Sequence, residues 1–158
     1  MLKTVKLTAL SLAAFWLSAA PAQAQQAIEL KGDVALEQTV TGDDGTQTVV
    51  RVAPETIVPG DRLVFSTSYV NGSSEAVTDF VVTNPLPAAV RLAPDADATL
   101  VVSVDGGENW GSLSTLQVVD AEGSPRAASH DDVTHIRWTL AEVPAGARGS
   151  VEYPAIIR

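Results

Sequence analysis

The sequence predicts an all-β fold, an immunoglobulin-like antiparallel β-sandwich of about eight or nine strands. Three observations predict it. Apolar residues recur at every second position through much of the chain after residue 25, the period of a strand with one buried face. Turn clusters rich in Gly and Pro cut these runs at short intervals. Finally, no window keeps apolar residues at three- and four-residue spacing, so no helix is available to cover a sheet and two sheets must cover each other.

In AIELKGDVALEQTV, Ile28, Leu30, Val34, Leu36 and Val40 fall on one face, with Glu29, Lys31, Asp33 and Glu37 on the other, although Gly32 and Gln38 interrupt the pattern. The turn formers Thr41-Gly42-Asp43-Asp44-Gly45 follow, and TQTVVRVAP resumes the extended pattern, so residues 34–53 are expected to form a hairpin. Leu63, Phe65, Thr67 and Tyr69 then alternate with Val64, Ser66, Ser68 and Val70, with the aromatic set as the better core face. Asn71-Gly72 predicts a second hairpin, with Val77 to Thr83 as the returning strand. Asn84-Pro85-Leu86-Pro87 ends that strand, because proline has no donor for the ladder. Further strands are expected at Val90–Leu92, Thr99–Val104, Leu113–Val119, Val133–Leu140 and Gly149–Ile157. The turns between them are Asp105-Gly106-Gly107, a loop over 120–131, and Pro144-Ala145-Gly146. No internal repeat or low-complexity linker divides the chain.

Residues 1–24 read as a secretory signal. Lys3 and Lys6 precede an apolar run from Leu7 to Leu17, followed by Pro21 and the small-residue triplet Ala22-Gln23-Ala24, with cleavage expected after Ala24. The apolar run is shorter than the ~20 residues that span a bilayer, so it is read as a leader rather than an anchor, with no membrane insertion after cleavage. Residues 25–158 are then a single sandwich domain, exported to the periplasm or the cell exterior. There is no cysteine, so neither disulfides nor an N-terminal lipid can stabilise it and the core must suffice. The chain carries 10 basic and 19 acidic residues, net −9, and losing Lys3 and Lys6 makes the mature charge −11. A surface that acidic repels phosphate backbones and anionic lipid, which argues against nucleic acid as a partner.

The stretch from residue 59 onward is similar to a known family. Pro59-Gly60-Asp61 opens a strand, followed by LVFSTSYV, Asn71-Gly72, FVVT, the corner Leu86-Pro87, the tryptophan strand IRWTL and the late turn Pro144-Ala145-Gly146. In order and spacing these resemble the bacterial and archaeal secreted-protein repeat known as domain of unknown function eleven, here as a single copy over residues 59–157. Asn84 stands where that family usually has Asp, and Gly146-Ala147 where it usually has Gly then Glu. The resemblance implies export, an immunoglobulin-like sandwich and a structural or adhesive setting, and it carries no catalytic residue.

Candidate chemistry is sparse. His130 and His135 bracket Asp131 and Asp132, but five residues apart at a loop-to-strand junction they do not converge as a helical i, i+4 pair would. With Ile136, Trp138 and Leu140 facing the core, His135, Arg137 and Thr139 face outward. No serine lies in a G-x-S-x-G elbow, and no carboxylate pair is specified by spacing. No catalytic, cofactor-binding or metal residue is assigned, and the chain reads as a non-enzyme without a cofactor.

Calcium is an alternative, since Asp43-Asp44, Asp95-Ala96-Asp97, Asp105 to Glu108 and Asp131-Asp132 place oxygen ligands in loops, although none matches the twelve-residue calcium loop. Carbohydrate binding is another. There, Trp138 and Tyr153 belong to core faces and Trp110, beside Gly111, is the one aromatic expected at the surface. The expected function is that of an exported structural or interaction protein with an unknown protein or envelope partner. Self-association is possible if residues 25–40 add as a strand to a neighbour.

Overall fold

The computed structural model describes residues 28–158, so the expected signal sequence and its cleavage site lie outside the described residues. The described chain is all-β. Its strands are β1 (Ile28–Thr41), β2 (Gln47–Val52), β3 (Arg62–Asn71), β4 (Val77–Pro85), β5 (Val90–Leu92), β6 (Val101–Ser103), β7 (Gly111–Ser112), β8 (Gln117–Val119), β9 (Pro125–Ala127), β10 (His135–Val143) and β11 (Arg148–Ile157). They form a five-stranded sheet in the order β2-β1-β3-β11-β5, a four-stranded sheet in the order β4-β10-β6-β7, and a ribbon of β8 and β9. No helix among the described residues is long and apolar enough to cross a membrane.

The two larger sheets pack face to face as a sandwich. Leu36, Leu63, Tyr153 and Ala155 from the first meet Val102 and Ile136 from the second in one buried cluster. Phe65 stacks on Tyr153 with ring centroids 5.2 Å apart, and Trp138 leans onto Tyr153 from the opposite sheet at 6.1 Å. Burial of Tyr153 pushes its phenol up to about 12, because the charged phenolate would lose its hydration there. Asn84 Nδ2 donates to Thr67 Oγ1 at 2.7 Å, a polar tie between the two sheets.

The expected 34–53 hairpin is present, with Leu36 opposite Val52 and Thr41 opposite Gln47. Gly45 closes its turn with φ 79°, and Asp44 Oδ1 accepts the Thr46 amide at 2.9 Å. Neither Gly32 nor Gln38 breaks β1, which pairs with β3 from Ile28 to Glu37. The N-terminal strand is thus built into its own sheet.

The second expected hairpin is absent. β3 and β4 belong to different sheets, and Asn71-Gly72 begins a crossover between them. The deciding residue is Asn71, whose side chain is fully buried. Its Nδ2 donates to Glu75 O at 2.8 Å and Val143 O at 2.9 Å, while its Oδ1 accepts the Ser73 amide at 3.0 Å and hydroxyl at 2.7 Å. Its backbone amide donates to Ala147 O, and its carbonyl accepts the Gly146 amide. Residues 144–147 link β10 in one sheet to β11 in the other, so Asn71 joins the two crossovers that connect the pairs β3·β11 and β4·β10. An Asn-Gly hairpin leaves both residues exposed in a two-residue turn, and the demand for that buried amide overrides it.

Three shorter departures have similar causes. Leu113 to Thr115 form a 3-10 turn rather than the start of a strand, and Leu113 and Leu116, three apart, both pack against the core. Only Gln117–Val119 of that segment is extended, and it pairs with β9, which lies inside the expected 120–131 loop. The expected 99–104 strand shrinks to Val101–Ser103 because Asp97 accepts the Thr99 amide in a turn. The ribbon and β7 bring the count among the described residues to eleven strands.

On the outside of the five-stranded sheet, Arg51 makes a bidentate pair with Glu152 at 2.9 and 3.0 Å and also reaches Glu37, which pairs with Arg62. The first bridge runs from β2 to β11, and Val64 on the intervening β3 is only 5 % exposed although it faces away from the core. Exposed ion pairs contribute little singly, but these also shield apolar surface.

Asn71→Ala strands the Val143 carbonyl inside the crossover and is expected to lower stability by about 1–3 kcal/mol in denaturant unfolding. Gly72→Ala should instead be close to neutral, since Gly72 does not have positive φ and open space surrounds its missing Cβ. The Tyr69 ring lies against Gly149, so Gly149→Ala should cost about 1–3 kcal/mol, and removing that ring with Tyr69→Ala should make the Gly149→Ala step smaller in a double-mutant cycle.

Candidate functional site

The outer face of the four-stranded sheet is built in rows. Thr83, Arg137, Val101 and Ser112 lie side by side across β4, β10, β6 and β7, with Pro85, His135 and Ser103 in the next row and Val81 and Thr139 in the one beyond. None of these residues is acidic, on a chain that is strongly acidic overall.

A loop folds over this face. Residues 104–110 leave β6 through Gly106 and Gly107, both with positive φ, a conformation that side chains resist. Asp105 organises the loop: its carboxylate accepts the Asn109 amide at 2.9 Å, the Ser103 hydroxyl at 2.7 Å, Asn109 Nδ2 at 2.7 Å and the Glu108 amide at 3.1 Å. These donors, the Asn109 amide foremost, hold the Asp105 carboxyl down at about 2. Ser103 is fully buried beneath the loop.

The loop delivers Trp110 onto Arg137. The guanidinium carbon sits 3.7 Å from the indole ring centroid, and the His135 ring meets the same indole edge-on at 6.2 Å. Trp110 Nε1 donates to Gly107 O at 2.8 Å, which fixes the ring. Arg51, Arg62, Arg126 and Arg158 each pair with a carboxylate, whereas Arg91, Arg137 and Arg148 have none among the described residues, and of these Arg137 has its Nε buried without a hydrogen-bond partner.

The outward orientation of His135 and Arg137 agrees with the alternation of β10, and Tyr153 lies in the core. Trp138 packs against that core while remaining partly exposed. Trp110 is half-buried against Arg137 rather than standing at the surface, while Trp138 and Tyr153 meet in the core, so the three aromatics form no shared platform. The two histidines do not meet. His135 Nδ1 lies 3.1 Å from the Thr134 hydroxyl on the sheet face, while His130 lines a cavity of about 360 Å³ between Leu92 and Val102 at the sandwich edge.

Several of the acidic turn residues use their carboxylates internally. Asp97 holds the Thr99 amide and hydroxyl, Asp95 pairs with Arg62, and Asp131 pairs with Arg158 at 2.9 Å. Asp132 takes both ends of the Arg126 guanidinium and the Ser129 hydroxyl, and Arg126 in particular holds its carboxyl far below the usual range. Among the described residues no three His, Asp or Glu side chains converge as a metal-binding group. No family model, curated protein or solved structure matches this chain.

The Trp110 loop should be acid-resistant to a defined limit. A carboxyl with a lowered pKa contributes stability above its ordinary value of 3.8, and that contribution disappears as pH falls through about 2. The Trp110 indole resonance is expected to hold its position at pH 4 and move as pH approaches 2, whereas Asp105→Asn should shift it already at neutral pH. A wild-type transition centred near pH 4 would show that the carboxylate does not hold the loop.

Proposed function

We propose that this chain is an exported, non-enzymatic interaction protein that binds its partner on the outer face of the four-stranded sheet, through a carboxylate presented to Arg137. One observation carries the reading: a guanidinium clamped against Trp110, among sheet rows that hold no acid, with a buried donor left unmatched. An unsatisfied buried donor costs about 1–3 kcal/mol, and in a native structure such a group calls for a functional explanation. Arginine is suited to the task because its planar fork engages a carboxylate with two charge-assisted bonds while its face stays stacked on the indole.

The setting follows from the leader-like residues 1–24 and from the resemblance to a secreted repeat. Interaction is favoured over catalysis because, among the described residues, neither histidine ring hydrogen-bonds a serine or a carboxylate. A partner bearing carboxylates on an envelope protein or polymer fits this face better than a neutral glycan, which would need a wider aromatic surface than Trp110 alone.

Acetate and glucuronate should shift the Trp110 indole resonance of the wild-type protein, glucose should not, and Arg137→Gln should abolish the response while leaving the fold intact. An equal response in Arg137→Gln, or none in the wild type, would remove Arg137 as the binding residue.

A further inference from the structure

The five-stranded sheet has an open edge with a readable hydrogen-bond pattern. β2 covers β1 only from Leu36 to Thr41, and then the chain turns away through Ala53. Among the described residues no strand pairs with the same edge over 28–35.

Neighbouring bonds show which groups point into that opening. The Asn71 amide and carbonyl bond toward the β10–β11 turn, and the Asp61 carbonyl accepts the Ile157 amide, so the odd-numbered residues of β3 face β11. Alternation then turns the even-numbered residues of β3 toward β1, where they oppose Glu29, Lys31, Asp33 and Ala35. The amides and carbonyls of Leu30, Gly32 and Val34 are left directed outward. Leu30 is also 46 % exposed on the side that faces the core further along the strand.

We infer that β1 pairs antiparallel with β1 of a second copy about a two-fold axis at Gly32. This register sets the outward groups of Leu30, Gly32 and Val34 against those of Val34, Gly32 and Leu30 in the second copy, as an antiparallel ladder requires. It places Lys31 opposite Asp33 twice on the outer face and Leu30 opposite Val34 twice on the inner face. Among the described residues neither Lys31 nor Asp33 takes part in an ion pair within its own chain. The adjacent registers allowed by the same alternation are centred on Lys31 or Asp33 and bring like charges together, which is destabilising. Centring on Gly32 engages the whole open run from 29 to 35, and because the contact is isologous it closes as a dimer instead of growing into a fibre. The second copy adds to an intact sheet, so β1 is not donated away from its own domain.

The test is sedimentation velocity on the mature chain over a concentration series, with circular dichroism to confirm folding. The wild type should show a monomer–dimer equilibrium. Lys31→Asp should weaken it about tenfold by setting acids opposite each other, and the double exchange Lys31→Asp with Asp33→Lys should restore it. A wild type that stays monomeric to millimolar concentration, species larger than dimers, or a double exchange that fails to restore association would each overturn the inference. Arg137→Gln should leave the dimer unchanged, which separates this edge from the ligand face.

Discussion

The fold depends on one buried amide. Asn71 stands where two chain crossings meet, and its donors and acceptors satisfy backbone groups from both. Because β3 and β11 lie in one sheet while β4 and β10 lie in the other, the connections β3–β4 and β10–β11 must pass between layers at the same end. Two adjacent crossings expose carbonyls that no ladder can use, and a buried carbonyl without a donor is costly. A side chain with both donor and acceptor groups is required, which excludes an aliphatic residue and makes a carboxylate unfavourable against carbonyl oxygens.

That dependence also marks the limit of what the amino-acid order reveals. Period-two alternation identified β1, β3, β4, β10 and β11, and it oriented Tyr153 inward and Arg137 outward, because facing is a local consequence of strand geometry. Sheet membership is a global property. Asn71-Gly72 carries the local signature of a hairpin, and only the presence of Pro144 to Ala147 across the sandwich changes its meaning. Leu113 and Leu116 were legible as apolar but not as a 3-10 turn, since three-residue spacing over so short a run has no competing pattern. The candidate site was half visible: Arg137 could be placed on an outer face, but the return of Trp110 over it follows from Asp105 gathering its loop, a closure within a segment that otherwise reads as an ordinary turn.

The two outer faces are treated in opposite ways. On the five-stranded sheet the guanidinium groups of Arg51 and Arg62 meet carboxylates, in a lattice with Glu37 and Glu152 beside the buried Val64. On the four-stranded sheet the Arg137 guanidinium is stacked, meets no carboxylate among the described residues, and lies in rows through positions 135, 137 and 139 of β10 that hold no acid. Stacking holds a guanidinium still without occupying its hydrogen-bonding edge, so the same residue type stabilises one face and remains available on the other.

The central position of β11 has a kinetic consequence. β3 is flanked by β1, which precedes it, and by β11, which arrives only after every other strand has been made. Until β11 docks, the Phe65 ring lacks the Tyr153 ring that stacks on it, and the core lacks its largest buried side chain. Pairing of such sequence-distant segments is slow, because the loop must be closed before the contact is gained. Completion of the core is therefore a late step, reached when the last strand takes its place between β3 and β5.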